Sequence, residues 1–143
     1  MSVSLVDVHG GLAGESDAMR WRRTFPGHPD QARPARHFVA FLLAGCSLAD
    51  DAVSVTGELV ANALRHTYSG KPGGLFIVEV RRWYGGAAVA VTDQGGPNEP
   101  TIRAPTETAE SGRGLHTINV VTDRWCWTGD ASSRTVTAVF NER

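Results

Sequence analysis

Residues 50–67, DDAVSVTGELVANALRHT, decide how the rest of the chain is interpreted. Apolar residues recur at helical spacing through this stretch, which predicts a helix beginning between Leu48 and Asp51 and ending near Thr67. Its apolar side is predicted to consist of Val53, Val60, Ala63 and Leu64, widened by Val55 and Leu59. We expect a helix with so wide an apolar side to be largely buried.

Three polar residues form a row along this helix. Glu58, Asn62 and His66 are spaced four residues apart, so they share one helix face. A buried carboxylate without a partner would take up a proton rather than stay charged, so we expect Glu58 and Asn62 to face a cavity filled by water or ligand. There the Asn62 amide oxygen suits Mg²⁺, and Glu58 suits a general base. The alternative is a solvated helix edge with no special chemistry.

The composition is that of one ordinary globular domain. The chain has 143 residues, of which 41% are hydrophobic and 20% charged, with a formal net charge of −1. This near-neutral balance argues against sequence-independent binding of nucleic acid. The basic residues are almost all Arg, with Lys71 the single lysine. Because Arg makes bidentate contacts with carboxylate and phosphate, protein or phosphate binding stays open.

Nothing in the sequence points to a membrane or to export. Cys46 and Cys126 are far apart and form no metal-ligand pattern, so we expect small core residues in a reducing compartment. The longest apolar run begins at Phe38 and is much shorter than the roughly 18 residues of a membrane span. The N-terminal residues lack the basic start of a signal peptide. We therefore expect a cytoplasmic protein with no membrane partner.

The chain divides into a leader and one domain. Residues 1–18 are rich in Gly and Ser without clear periodicity and are predicted as a flexible leader, with residues 19–143 as a single domain. Residues 94–112 show no periodic pattern. A segment of this length is too long for an idle connection in a compact domain, so we expect a lid or binding loop. A helix is predicted to follow at residues 113–121.

Five strands and one more helix complete the predicted elements. The helix is predicted from Asp30 to Gly45. The strands are predicted at residues 19–25, 75–84, 87–93, 124–128 and 135–140. Hairpin turns are expected at Gly85–Gly86 and in GDASS, residues 129–133. Because two hairpins exclude a purely parallel sheet, the predicted fold is an α/β fold of the α+β two-layer type, with a mixed, mostly antiparallel sheet and three helices on one face.

A second motif, VAVTDQGGPN at residues 89–98, is an alternating strand that ends in Asp93. Ligands of open α/β sheets bind at the carboxyl ends of strands. A carboxylate there can accept a hydrogen bond from an exocyclic amine such as that of adenine. Gly95 and Gly96 either let the backbone approach a flat ring or adopt positive φ. The alternative is an ordinary turn, in which Asp and Gly are common.

A third motif, ESGRGLHTINVV at residues 110–121, places Gly112 and Gly114 at the start of a helix. Free N–H groups and the helix dipole favour an anion there, and Arg113 adds positive charge. The alternative is a flexible helix start, because short Gly-x-Gly patterns are weak evidence alone.

The order of the three motifs is more informative than any one of them. GELVANALRH, VAVTDQGGP and ESGRGLHTINVVTDRW, at residues 57–66, 89–97 and 110–125, resemble the N, G1 and G2 boxes of the histidine-kinase-like ATPases. This is the GHKL superfamily, which has the Bergerat ATP-binding fold. The motifs look most like those of the small anti-sigma-factor serine/threonine kinases and related stand-alone regulators of actinobacterial type. The resemblance covers about residues 19–141.

The resemblance implies ATP and Mg²⁺ as cofactors and assigns roles to matching residues. Glu58 matches the catalytic Glu that activates the attacking hydroxyl, and Asn62 matches the Asn that holds Mg²⁺ at the phosphates. Asp93 matches the Asp that reads the adenine amino group. The other matching positions are the first glycine of the adenine box and the box at the phosphates and lid edge: Gly95, Gly112, Arg113, Gly114 and Leu115. For His66 we expect a structural role.

One departure from the family pattern leaves two functions open. Pro97 stands where the adenine box usually has its second glycine, and proline fixes φ and removes an N–H. The first function is a Mg-ATP-dependent protein serine/threonine kinase of anti-sigma type, which phosphorylates an antagonist protein and sequesters a sigma factor. The second is a non-catalytic ATP-binding or partner-binding module of the same fold.

The resemblance implies protein partners, namely a sigma factor and an anti-anti-sigma-type antagonist, with no direct nucleic acid. Family members often form homodimers, although the sequence itself gives no sign of one. Aromatic and Arg residues at predicted strand ends suit a partner surface or, equally, a solvated sheet edge. These residues are Trp83, Tyr84, Arg20, Arg22, Arg23, Arg81 and Arg82.

Overall fold

The computed structural model describes residues 2–3, 18–96 and 122–142. The strands are β1 (Ser2–Val3), β2 (Met19–Pro26), β3 (Leu75–Trp83), β4 (Gly86–Asp93), β5 (Arg124–Gly129) and β6 (Arg134–Asn141). The helices are α1 (Ala32–Leu42) and α2 (Ala49–His66), with short 3-10 turns at Pro29–Gln31 and Tyr68–Gly70. The five predicted strands and the first two predicted helices are therefore confirmed to within a few residues.

The strands form a sheet in the order β1-β5-β6-β4-β3-β2, and all pairings between the described strands are antiparallel. The two-layer α+β class is confirmed, but the parallel element expected in a mixed sheet is absent from the described strands. Pro26 at the end of β2 pairs with Leu75 at the start of β3, so α1 and α2 leave and rejoin the sheet at the same end. A pair of helices that returns the chain in this way gives an antiparallel neighbour, whereas a parallel neighbour needs a crossover.

The core lies between the sheet and the two helices. Alternate residues of a strand point to opposite faces, and one face of the sheet carries most of its large apolar side chains. The residues that it contributes to the core are Phe25, Phe76, Val78, Val80, Ala87, Val89, Val91, Val136, Ala138 and Phe140. Ala35, Val39 and Leu43, from α1 and the residue that follows it, pack against them together with the buried side of α2.

The buried side of α2 is rotated from the side predicted. Its buried residues are Ala52, Val55, Thr56, Leu59, Val60 and Ala63. Val53 and Leu64, predicted as core positions, are only partly buried against the cluster. Thr56 was not expected in the core; its hydroxyl donates to the Ala52 carbonyl oxygen at 2.7 Å, which satisfies the buried oxygen.

The end of the sheet at the β3–β4 turn is held by Arg82. Its Nη1 donates to the carbonyl oxygens of Leu42 and Ala44 at 3.2 and 3.1 Å. These carbonyls lie at the end of α1 and two residues beyond it, where a cation is favourable. Register places Tyr84 and Gly85 in the turn, one residue earlier than predicted, with Gly85 at φ 88°.

Several expectations meet the described residues only in part. β1 lies within the segment predicted as a flexible leader and pairs with β5, while residues 4–17, 97–121 and 143 and Met1 lie outside the described residues. The predicted third helix and most of the predicted lid are among them. Cys46 and Cys126 are half-buried rather than fully buried core residues. Cys46 packs against the core, as do Trp125 and Trp127, which flank Cys126 on β5. None of the helices in residues 18–96 has the length and apolarity that spanning a membrane requires.

We predict that Phe76→Ala lowers the free energy of unfolding by about 3–5 kcal/mol, because it empties a site at the centre of the core. Phe76 is fully buried and its ring stacks on that of Phe25, with ring centroids 5.3 Å apart. Phe41→Ala is the matched control, since Phe41 is 80% exposed, and we expect a change within about 0.5 kcal/mol. Urea denaturation measures both. Equal losses for the two variants would contradict the described core.

Candidate functional site

The second half of α2 carries Glu58 and Asn62 at the margin of the core. Both side chains are half-buried, as is His66 in the last turn. Residues four apart on a helix are separated by about 6 Å along its axis, so Glu58 and Asn62 lie on one face in successive turns. Half-burial is intermediate between the two alternatives left by the sequence, a lined cavity and a fully solvated edge.

The tip of β4 carries Asp93, whose exposure is only 6%. Val89 and Val91 of the same strand belong to the core beneath the helices, so Asp93, two residues further along, points to the helix side of the sheet. Its Oδ1 accepts a hydrogen bond from the Gly95 backbone N–H at 2.7 Å. The predicted strand ending in an acid is confirmed, and the acid is directed towards the layer that contains α2.

The loop after Asp93 is attached to the residues that follow α2. The Tyr68 backbone N–H donates to the Gly95 carbonyl oxygen at 2.9 Å. The Gln94 backbone N–H donates to Ser69 Oγ at 2.9 Å, and its side-chain oxygen accepts from the Leu75 N–H at 3.0 Å. These bonds bring the end of α2 and the tip of β4 together, which joins the elements carrying two of the three sequence motifs.

Both glycines of this loop are required by close packing of backbone. Gly95 has φ 77°, and a Cβ there would lie 2.1 Å from the Ala131 carbonyl oxygen. A Cβ at Gly96 would lie 2.7 Å from the His66 carbonyl oxygen. Of the two roles considered from sequence, positive φ is confirmed for Gly95. At both residues, the position that a Cβ would take is crowded by backbone of the protein itself.

Arg134, which sequence reasoning did not identify, lies directly opposite Asp93 in the β4–β6 register. It is only 5% exposed. Its Nε donates to the Asp130 carbonyl oxygen at 3.1 Å, and its Nη2 donates to the Gly96 carbonyl oxygen. Arg134 is the first residue of a strand next to a turn, which in sequence looks like an ordinary exposed position. Only the pairing of β4 with β6 places it beside the acid.

The electrostatics of this corner are set by burial. Burial raises the pKa of Asp93, outweighing the Gly95 N–H and the positive charge of Arg134, both of which lower it. The neighbouring Asp130 is the opposite case. The hydroxyl and backbone N–H of Ser132 and the N–H of Ser133 bond to its carboxylate and lower its pKa. These bonds fix the β5–β6 turn, in which the Asp130 carbonyl oxygen accepts the hydrogen bond from Arg134 Nε.

The donor types in the described part of the site fit a nucleotide with its metal. No group of three or more His, Cys, Asp or Glu that could hold a metal ion by itself is found in residues 18–96 and 122–142. Mg²⁺ held together with phosphates needs only one or two protein oxygens, and the Asn62 amide is such a donor. The predicted phosphate box, Gly112, Arg113, Gly114 and Leu115, lies outside the described residues, as does Pro97.

Comparison with known protein families identifies a family for most of the chain. The family model described as the histidine kinase-like ATPase domain matches residues 25–140. The match therefore runs from the end of β2 to the end of β6 and includes all eight site residues predicted from sequence. No protein with a curated description matches the chain. A domain of this type implies ATP binding, which agrees with the expectation of ATP as a cofactor drawn from the three motifs.

We predict that Asp93→Asn changes how stability depends on pH. Because the folded-state pKa of Asp93 is raised above the usual 3.8, the folded protein binds more protons than the unfolded chain between these two values. The contribution of Asp93 to stability is therefore lost as pH rises through that window. Asparagine does not titrate, so the variant gains stability relative to the native protein across the window and keeps the difference above it.

Urea denaturation at a series of pH values from about 4 to 7 measures this difference. Asp130→Asn is the control with the opposite sign, because a lowered pKa stabilises the native protein above the unfolded value and this stability is lost as pH falls. A difference for Asp93→Asn that shrinks as pH rises would show that the Asp93 pKa is not raised.

Proposed function

Because the chain belongs to the histidine kinase-like ATPase family, we propose that it is an anti-sigma-type regulator that binds Mg-ATP. It transfers the terminal phosphoryl group to a Ser or Thr of an antagonist protein, and it sequesters a sigma factor. The observation that carries the nucleotide part is the attachment of the Asp93 loop to the residues directly after α2, through the Tyr68–Gly95 hydrogen bond. That attachment brings the loop that follows Asp93 to the end of the helix that bears Glu58 and Asn62.

In this proposal each described residue has a separate task. The Asp93 carboxylate accepts a hydrogen bond from the exocyclic amine of the base. The Asn62 amide oxygen would hold Mg²⁺, whose positive charge would offset the negative charge of the phosphates. Glu58, one turn earlier on α2, orients or deprotonates the attacking hydroxyl. Phosphoryl transfer depends mainly on positioning and electrostatic stabilisation, and these residues contribute to both.

The predicted phosphate box completes the proposed site. Gly112 and Gly114 would offer backbone N–H groups to the phosphates, and Arg113 would add positive charge. Leu115 would lie at the lid edge. These four assignments come from the family resemblance of the motif.

A groove beside α1 supports the proposal of a protein partner. It has a volume of about 610 Å³, and its lining includes Arg23, Asp30, Arg33, His37, Phe38 and Phe41. Phe41 is 80% exposed, and aromatic and Arg side chains are typical of the hot spots of protein–protein interfaces. Two guanidinium groups against one carboxylate favour an acidic segment of the partner.

The Arg residues considered from sequence also have interactions within the chain, including Arg23, whose guanidinium lies 4.7 Å from the centroid of the Phe25 ring. Arg22 and Arg81 lie 3.6 and 3.7 Å from the Glu79 carboxylate, and Arg82 caps α1. Among the Arg residues named from sequence as a partner surface, Arg23 is the one that lines this groove. A cytoplasmic location and a homodimer belong to the proposal as well.

A non-catalytic module of the same fold is the second candidate function. It is favoured by the packing at Gly95 and Gly96, where backbone of the protein closely approaches the position that a Cβ of each residue would take. Pro97 follows directly in the sequence and has no backbone N–H to donate. In this candidate, partner binding persists without phosphoryl transfer.

We predict that calorimetric titration of the native protein with ATP shows binding that Mg²⁺ strengthens. Asp93→Asn is expected to weaken binding more than tenfold, or by about 1.4 kcal/mol, because the acceptor carboxylate becomes an amide. Asn62→Ala is expected to remove the effect of Mg²⁺. Asp50→Asn, at the opposite end of α2, is the charge-matched control and leaves binding unchanged. Equal binding with and without Mg²⁺ in the native protein would undo the role of Asn62.

We further predict that Glu58→Ala abolishes transfer of labelled phosphate from ATP to a candidate antagonist protein while ATP affinity is retained. The reason is that Glu58 acts on the attacking hydroxyl and not on the base. Glu58→Gln, which keeps the shape without the charge, should be equally inactive. Undiminished transfer by Glu58→Ala would refute the kinase mechanism. ATP binding without transfer in the native protein would favour the non-catalytic module.

A further inference from the structure

We infer that Arg134 is the positioning residue of the base site: it keeps the Asp93 carboxylate as a pure hydrogen-bond acceptor and thereby selects adenine over purines that present a carbonyl at the same place. The inference rests on the proposed nucleotide site and adds the residue that sets its base specificity. Arg134 lies on β6 and is in none of the three sequence motifs.

The first support is the placement of the two charges. Asp93 and Arg134 face each other across the β4–β6 pair and are 6% and 5% exposed. Asp93 follows Val91, and Arg134 precedes Val136; both valines belong to the core on the helix side. Alternation along the strands therefore directs both charged side chains to that side. Opposite charges interact more strongly at such a site than in water.

The second support is the pair of loops that the guanidinium joins. Nη2 of Arg134 bonds to the Gly96 carbonyl oxygen in the loop after β4, and Nε bonds to the Asp130 carbonyl oxygen in the β5–β6 turn. The same two loops touch where Gly95 approaches Ala131. Arg134 therefore holds the two loops next to Asp93 in place. One of them contains the Gly95 N–H, which donates to Asp93 Oδ1.

The chemical consequence follows from the hydrogen-bonding capacity of a carboxyl group. An ionised carboxylate only accepts, whereas a protonated carboxyl also donates. Adenine presents an amine, a donor, where hypoxanthine presents a carbonyl oxygen, an acceptor. A carboxylate held ionised therefore favours adenine, and a carboxyl that gains a proton accommodates hypoxanthine. Burial pushes Asp93 towards the protonated form, and the Gly95 N–H and the Arg134 charge both oppose it, so removing the Arg134 charge should weaken the preference.

Other charged groups lie on the elements around this corner and must be held constant in a test. Arg65 and His66 are at the end of α2, and Asp130 is in the β5–β6 turn. Of the charges on these elements, that of Arg134 is the one that acts to lower the pKa of Asp93. Substitutions at Arg134 alone leave the other groups in place.

The experiment compares Arg134→Gln, which is neutral but keeps a donor, with Arg134→Lys, which keeps the charge. In nucleotide-free protein, ¹³C NMR of the carboxyl groups, assigned with Asp93→Asn, follows the titration of Asp93. We expect Arg134→Gln to raise the pKa of Asp93 and Arg134→Lys to leave it close to the native value. A purely structural role would not separate the two variants in this way.

Affinities for ATP and inosine triphosphate, measured from about pH 6 to 8, give the second readout. The native protein and Arg134→Lys should prefer ATP throughout. Arg134→Gln should lose at least about tenfold in ATP affinity. Its preference for ATP over inosine triphosphate should become smaller as pH falls.

An unchanged Asp93 titration in folded Arg134→Gln would overturn the inference. If Arg134→Gln does not fold, a folded Arg134→Lys that has lost the preference for ATP overturns it, because the charge is still present. A native protein that binds neither nucleotide would refute the proposed function, whereas the NMR titration still decides what Arg134 does to Asp93.

Discussion

The burial of the Asp93 carboxylate at the end of β4 is the constraint on which the rest of the site depends. Asp93 ends a strand whose previous inward residues are core valines, so it cannot avoid burial without disturbing β4. Burial favours the protonated form, and the Gly95 N–H and the Arg134 guanidinium oppose that effect. The surrounding glycines, turn and loop bonds are arranged to bring those two partners to the carboxylate.

The helix α2 connects this corner to the core. Ala52, Val55, Leu59 and Ala63 hold one side of the helix against the sheet, which leaves the adjoining side at the margin. Glu58, Asn62 and His66 are on that margin, half-buried. Because the apolar side fixes the rotation of α2, the direction in which the polar row points is a consequence of core packing. A helix packed in this way fixes the backbone positions from which Glu58, Asn62 and His66 project.

Local patterns predicted the elements, and distant pairings determined what the sequence could not predict. Strand alternation and helical spacing gave five strands, two helices and the acid at the end of β4, because these depend on neighbours along the chain. The buried side of α2 is rotated from the predicted side, with Thr56 buried and Val53 and Leu64 only partly buried. Thr56 was not predicted because a hydroxyl that bonds to its own helix carries no apolar signal. Arg134 was missed because β4 and β6 meet only through long-range pairing. The roles of Glu58 and Asn62 remain predictions from the motif, supported by the family match.

A crystal structure with a non-hydrolysable ATP analogue and Mg²⁺ tests the central claim most directly. The account predicts the amine of the base on the Asp93 carboxylate, Mg²⁺ on the Asn62 amide oxygen, and Glu58 next to the terminal phosphate. An analogue bound elsewhere on the protein, for example in the groove beside α1, with Asp93 and Asn62 making no contact to it, would contradict the account.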